Sequence, residues 1–249
     1  MRLALSLAAI LSVSSLAPVQ AEGLTAMNDA ERVAFDAAVR DYLLRNPEVI
    51  VEAMTELQLR EERDAASRDI EMLAANKDRI FNSPGDWAGG NLEGDITLVE
   101  FMDYRCGYCH KAFQEVEELV KSDGNIRFVL KEFPVLGEQS VLAAKFAIAI
   151  RQLYGDDAYK AAHDALFALR GDMTTETLSR VATDLGHDAN VVLAKTGDPA
   201  VQAVIDENYA LAGVMELNGT PSFVLGDVML RGYLPLDVMR QMVADARKG

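Results

Sequence analysis

Ile96-Thr97-Leu98-Val99-Glu100-Phe101-Met102-Asp103-Tyr104-Arg105-Cys106-Gly107-Tyr108-Cys109-His110 is the stretch on which the fold turns. Its first seven residues are apolar on both faces apart from Thr97 and Glu100, the pattern of a central strand in a helix-covered α/β sheet. Four residues beyond Met102, Cys106 opens a helix expected to reach about Lys121, and Ile126 to Phe133 reads as a second strand. Helices are then predicted over Glu138 to Tyr154, Ala158 to Leu169, Thr175 to Leu185 and Pro199 to Leu217, the last with Asp198 as its cap. Strand character returns at Ser222 to Leu225, Gly226-Asp227 turns the chain into Val228 to Arg231, and Leu236 to Ala246 closes it as a helix. The order is β-α-β, a helical block, then β-β-α, an α/β fold.

The chemistry is concentrated at Cys106-Gly107-Tyr108-Cys109. Two thiols at this spacing, the first at a helix N-terminus, can close a disulfide across one turn and reopen it. The unpaired N–H groups and the positive end of the helix dipole stabilise Cys106 as a thiolate, which makes it the nucleophile. Cys109, within the first turn and less exposed, resolves a mixed disulfide by attacking Cys106. Other uses of a thiol pair fit this sequence less well. Zinc needs two further ligands, and the chain has no second CxxC or His pair. A structural disulfide closing so short a loop constrains the unfolded chain little. Cys106 to His110 also spells CxxCH, the attachment motif of c-type haem, but a buried strand directly before it is the wrong context. Soft thiolates select copper(I), although the ten methionines are scattered without a Met-x-x-Met cluster. Copper binding and a holdase role therefore stay open as alternatives. His110 reads as a helix-surface residue that modulates the thiolate.

The whole chain has 249 residues, 39 acidic and 24 basic side chains and a formal charge of −15. Such a surface repels phosphate unless its bases are clustered, and no basic run occurs, so no nucleic-acid partner is expected. Two cysteines are too few to be a scaffold. Met1-Arg2, the apolar run from Leu3 to Leu16 and the small residues of Val19-Gln20-Ala21 mark residues 1–21 as a secretory signal peptide. No later stretch approaches the roughly eighteen apolar residues of a membrane span. The expected destination is an oxidising compartment.

Residues 22–90 read as a helical stem and linker. Asn28 and Asp29 cap a first helix carrying Val33, Phe35, Val39, Tyr42 and Leu43, which ends before Pro47. Asn46-Pro47 starts a second helix expected to reach about Ile80, roughly 50 Å long. Its apolar stripe (Ile50, Ala53, Met54, Leu57) lies at one end, while Arg60-Glu61-Glu62-Arg63-Asp64 is solvated all round. With nothing evident in its own chain to cover that stripe, association between copies through residues 24–80 is expected. Ser83-Pro84-Gly85 and Gly89-Gly90-Asn91 punctuate the boundary, and a compact domain over 91–249 is expected to begin near Leu92.

Glu100 to Lys111, followed much later by Gly219-Thr220-Pro221-Ser222-Phe223, resembles the DsbA family of thioredoxin-fold periplasmic thiol-disulfide oxidoreductases. The resemblance covers about residues 92–249. The helical block, about 138–217, is similar to the insertion that family places inside the thioredoxin fold, and Lys131-Glu132-Phe133-Pro134 is similar to its second-strand ending. Tyr42 to Ile50 resembles the oligomerising extension of proteins related to ScsC. The resemblance thus implies a thioredoxin fold with an inserted helical domain, preceded by an N-terminal helical oligomerisation stem. It implies a cis Pro221 facing the cysteine pair, with the Thr220 backbone, Gly107 and Tyr108 contacting an extended client chain. It also implies that Glu100, an acid in an apolar run, takes the proton of Cys109 during resolution; the structural alternative, compatible with that role, is a carboxylate salt-bridged to Lys131, which would then modulate the site.

The chain departs from the oxidase pattern of that family, which has Pro-His between the cysteines and Val before the cis proline. Gly107-Tyr108 and Thr220 instead resemble the disulfide isomerase DsbC. Replacing His by Tyr removes a cationic partner of the thiolate and makes a weaker oxidant, so isomerase or reductase activity is expected over oxidase. The expected partners are unfolded or misoxidised exported proteins and a membrane redox partner. No metal and no cofactor beyond the redox-active Cys106–Cys109 pair is expected. The expected location is the periplasm, free or associated with the outer membrane.

Overall fold

Asn28 caps the first helix by accepting from the Glu31 backbone N–H while the Glu31 carboxylate accepts from its own, a capping box. The structure, a computed structural model, describes residues 27–248, so the expected signal peptide lies outside the described residues. Helix α1 (Asp29–Arg45) buries none of its side chains, and α2 (Glu48–Ala75) buries only Leu73. The chain divides into two compact units between Glu61 and Glu62, within α2. In the first unit, Val33, Phe35, Val39, Tyr42, Ile50, Met54 and Leu57 all lie open in the single chain.

The second unit starts well before the expected boundary near residue 91. α2 stops at Ala75, where the Asn76 side chain donates to the Met72 carbonyl at 2.9 Å, and a short α3 (Lys77–Phe81) follows. The single helix expected to reach Ile80 is therefore two. Leu73 and Ile80 are buried against the sheet with Val99, Phe101 and Val129, so this end of the stem does have a partner in its own chain. Arg231 further clamps Asp69 through two bonds of 2.9 and 3.0 Å. Strand β1 (Trp87–Gly90) was not foreseen, because Gly89-Gly90 reads as a turn. The glycines are there for close approach: a Cβ on Gly89 would lie 2.2 Å from the Trp87 ring, and one on Gly90 would lie 2.5 Å from the Ile126 carbonyl.

The sheet continues with β2 (Ile96–Met102), β3 (Ile126–Glu132), β4 (Ser222–Leu225) and β5 (Val228–Arg231), in the order β1-β3-β2-β4-β5. β2 and β3 are parallel, joined by α4 (Gly107–Asp123), and the other pairings are antiparallel. One face carries Leu98, Met102, Phe128 and Leu130 under α4 and the helical block, and the other carries Val99, Phe101 and Val129. The block comprises α5 (Glu138–Tyr154), α6 (Asp156–Ala168), α7 (Thr175–Asp184), α8 (Ala189–Lys195) and α9 (Pro199–Val214), and α10 (Leu236–Ala246) ends the chain. α8, seven residues capped by Asp188, is too short to announce itself by periodicity.

Candidate active site

Strand β2 delivers the site. After Met102 the chain turns at Asp103, whose buried carboxylate accepts from Arg105 N–H (2.7 Å), Val135 N–H (2.8 Å) and Leu136 N–H (3.0 Å). These bonds tie the loop before the cysteines to the loop after β3. Cys106 sits in extended backbone (φ −77°, ψ 118°) as the N-cap of α4, so the free N–H groups of the first turn converge on its sulfur. Both cysteines are present as thiols. Cys106 keeps 7% of its surface exposed and Cys109 none.

That asymmetry divides the chemistry. The Cys106 thiol is brought down to about 5, first by the hydrogen bond from Cys109, with Thr220 and the backbone N–H groups of Cys109 and Tyr108 adding to it against the opposing cost of burial. Burial pushes the Cys109 thiol far above its ordinary range, reinforced by its bond to Cys106 and the nearby Glu100 carboxyl. One sulfur is an anion at neutral pH, and the other holds its proton until a base removes it.

The antiparallel pairing of β2 with β4, Phe101 opposite Ser222, brings the residues before β4 up to the cysteines. The Thr220-Pro221 peptide is cis, and the Cys106 Sγ lies 3.1 Å from the Thr220 carbonyl. Tyr108 is largely exposed and stacks on Tyr233, ring centroids 6.2 Å apart, whose hydroxyl donates to Glu115. Gly107 has open space where a Cβ would stand, so packing does not demand glycine there.

Glu100 is buried on the α4 face of the sheet, and burial lifts its carboxyl to about 8, with the charges of Glu117 and Cys106 adding to the rise. Lys131 is not its partner. Register puts Glu100 opposite Leu130 and Lys131 opposite Phe101, on the other face. There Lys131 is fully buried, ion-paired with Asp86 and donating to the Arg79 carbonyl at 2.8 Å. A residue alternation of two sends neighbours to opposite faces, which places Lys131 on the face away from Glu100. His110 is half-buried: its Nε2 meets the Tyr104 carbonyl at 2.8 Å in the loop before Cys106 and its ring stands edge-on to Phe167, so its imidazole is turned to these two groups, while its backbone N–H donates to the Cys106 carbonyl at 3.0 Å.

Sequence reasoning missed a buried cluster behind the cysteines. The Tyr104 and Tyr159 hydroxyls donate to Glu132 at 2.8 and 2.7 Å, and His163 Nδ1 lies 3.1 Å from the Tyr104 oxygen. Burial raises Glu132 to about 8 despite those two donors. It also missed Glu117, which lies with Cys109, Phe113 and Val116 on one face of α4. Spacing of four, seven and eight residues from Cys109 could have found it. Among the described residues, no group of three or more His, Cys, Asp or Glu side chains is placed to hold a metal ion.

A thiolate at a helix N-terminus, a buried resolving thiol and a cis proline against them define a thioredoxin-type thiol centre. Residues 97–244 match the DSBA-like thioredoxin domain, and the chain belongs to that family. Residues 31–63 match a second family, the copper resistance protein ScsC N-terminal domain. A thioredoxin-like oxidoreductase from Silicibacter pomeroyi is 40% identical, with a TM-score of 0.66 over 70% of this chain and 99% of that one. BcfH of Salmonella enterica Typhimurium is 25% identical, with a TM-score of 0.72 over 88% of this chain and 96% of that one. The Na(+)/H(+) antiporter NhaA 1 of Salinispora arenicola is 27% identical over 165 residues, 66% of this chain. The alignment covers 25% of that relative's own length.

Proposed function

We propose that this protein is an exported thiol-disulfide oxidoreductase that exchanges disulfides with other exported polypeptides. The observation that carries the reading is the unequal pair: a Cys106 thiol brought down to about 5 beside a fully buried Cys109 that keeps its proton. The Cys106 thiolate attacks a client disulfide, forming a mixed disulfide and expelling the client's other sulfur as thiolate. Pairing of the client backbone with Thr220 holds that disulfide in line. Release needs Cys109 to lose its proton, and Glu100, buried nearby, takes it. The Cys109 sulfur then attacks Cys106, the Cys106–client bond breaks, and the client leaves reduced.

Isomerase or reductase chemistry is favoured over oxidation. A nucleophile at about 5 lies between a thioredoxin-like thiol, about 7, and the strongly oxidising DsbA thiol, about 3.5, which suits attack on and release of wrong disulfides. The open apolar side chains of α1 and early α2 support a homo-oligomer through residues 24–80, and a membrane dithiol partner resets the pair. Scrambled ribonuclease tests the order of activities: recovery with the reduced protein is expected. Activity confined to oxidising a reduced substrate would reverse it.

A second reading rests on the name of the N-terminal family, which speaks of copper resistance. Two sulfurs one turn apart are soft ligands for copper(I). Copper titration of the reduced protein, against a Cys106→Ser, Cys109→Ser variant, decides whether the thiols take the ion.

A further inference from the structure

The exchange reaction leaves a question at Glu100. A carboxyl that keeps its proton too firmly cannot accept the one on Cys109, and one that loses it too readily is a weak base. What sets the balance is the surroundings of Glu100. β3 offers Phe128 and Leu130 beside it, with Glu132 further along turned to the two tyrosine hydroxyls, and β4 offers Phe223. α4 offers Cys106, Cys109 and Glu117. α6 offers His163, whose basicity burial holds down to about 3, so it is uncharged near neutral pH.

Glu100, Glu117 and His163 line one gap, closed by Phe113, Phe128 and Phe167 and too tight to admit a water molecule. A charge facing a carboxyl across such a gap acts on it through protein on the inner side, with solvent screening only from the exposed side. Glu117 carries that charge, and its outer side is bonded to Lys160 at 3.1 Å. Lys160 in turn holds Asp164 at 2.7 Å. The Glu117 and Lys160 side chains are 38% and 27% exposed, so either can be altered without opening the core.

We propose that Glu117 and Lys160 act together as positioning residues of the exchange reaction: the Glu117 carboxylate governs when Glu100 gives up its proton, and Lys160 governs how much of that charge reaches Glu100. This rests on the proposed role of Glu100 as the base for Cys109. The rise that Glu117 contributes to Glu100 agrees with it. Removing the anion makes Glu100 ionise at lower pH, and removing its counter-ion makes it ionise at higher pH.

The test is a single turnover. Cys106 is loaded with a chromophoric aryl thiol as a mixed disulfide. Attack by Cys109 forms the Cys106–Cys109 bond and breaks the Cys106–aryl bond. The aryl thiolate is expelled while the Cys109 proton passes to Glu100. Its release is followed against pH in wild type, Glu117→Gln, Lys160→Met and Glu100→Gln. The midpoint is expected to fall by about half a unit in Glu117→Gln and to rise by a similar amount in Lys160→Met, roughly threefold faster and threefold slower at neutral pH. Packing damage would not move the two in opposite directions. Midpoints that stay with wild type, or move the same way, overturn the proposal while leaving Glu100 in place. A Glu100→Gln profile that keeps the wild-type midpoint overturns the role of Glu100 itself.

Discussion

Glu100 shows how a single side chain carries a cost for its chemistry. In the unfolded chain a glutamate loses its proton near its ordinary value of 4.5, whereas in the folded protein Glu100 holds it to about 8. The folded-state value is raised, so this proton contributes stability that is fully present below about 4.5 and is lost as pH rises through about 8. Glutamine needs no proton to be neutral. Glu100→Gln is therefore expected to stabilise the reduced protein, by nothing at pH 4 and by on the order of a few kcal/mol above pH 8, while slowing release of mixed disulfides. Denaturant melts of both proteins across that range check it. An unchanged difference between them at all pH values would mean that Glu100 is not protonated in the fold.

At the scale of elements, the sheet is a divider, and Lys131 makes the point. The strand Ile126 to Phe133 was legible, but a lone Lys beside a lone Glu on the neighbouring strand invites a salt bridge that the register forbids. Lys131 serves the far face, where it joins Asp86, just ahead of β1, to the α3 backbone. Lys131→Met leaves Asp86 buried without its cation and is expected to cost about 3–5 kcal/mol in a melt, with thiol exchange by the folded protein unchanged. A slowed exchange without loss of stability would return Lys131 to the site. Sequence reading succeeded where period and caps speak together: β2, α4, α5, α9 and the β4–β5 hairpin all stand close to where they were expected. It failed where a local signal has two meanings. Gly89-Gly90 looks like a turn until the Trp87 ring is seen over it, and the break at Asn76, whose side chain donates back to the Met72 carbonyl, falls inside a run with no Gly or Pro to mark it. Of the site, the residues near the motif were legible. Glu117 was within reach of helical spacing from Cys109, whereas the Tyr104–Glu132–Tyr159 cluster was not, because only the packing of α6 against the sheet brings its members together.

For the whole molecule, the unequal division of apolar surface is the governing fact. The thioredoxin unit closes two cores, whereas α1 and the start of α2 bury nothing in the single chain. Among the described residues, no helix is long and apolar enough to cross a membrane. Light scattering at micromolar concentration is expected to give a multiple of the protomer mass, and the pair Met54→Lys, Leu57→Lys is expected to return it to one. A single-protomer mass for the unaltered chain would contradict assembly through the stem. Everything else depends on Cys106. Its alkylation rate, measured against pH with the modified sulfur identified by mass, is predicted to rise with a midpoint near 5 while Cys109 stays unmodified in the folded protein. Two sulfurs that both react like ordinary cysteine, with midpoints of about 8.5, would contradict the account.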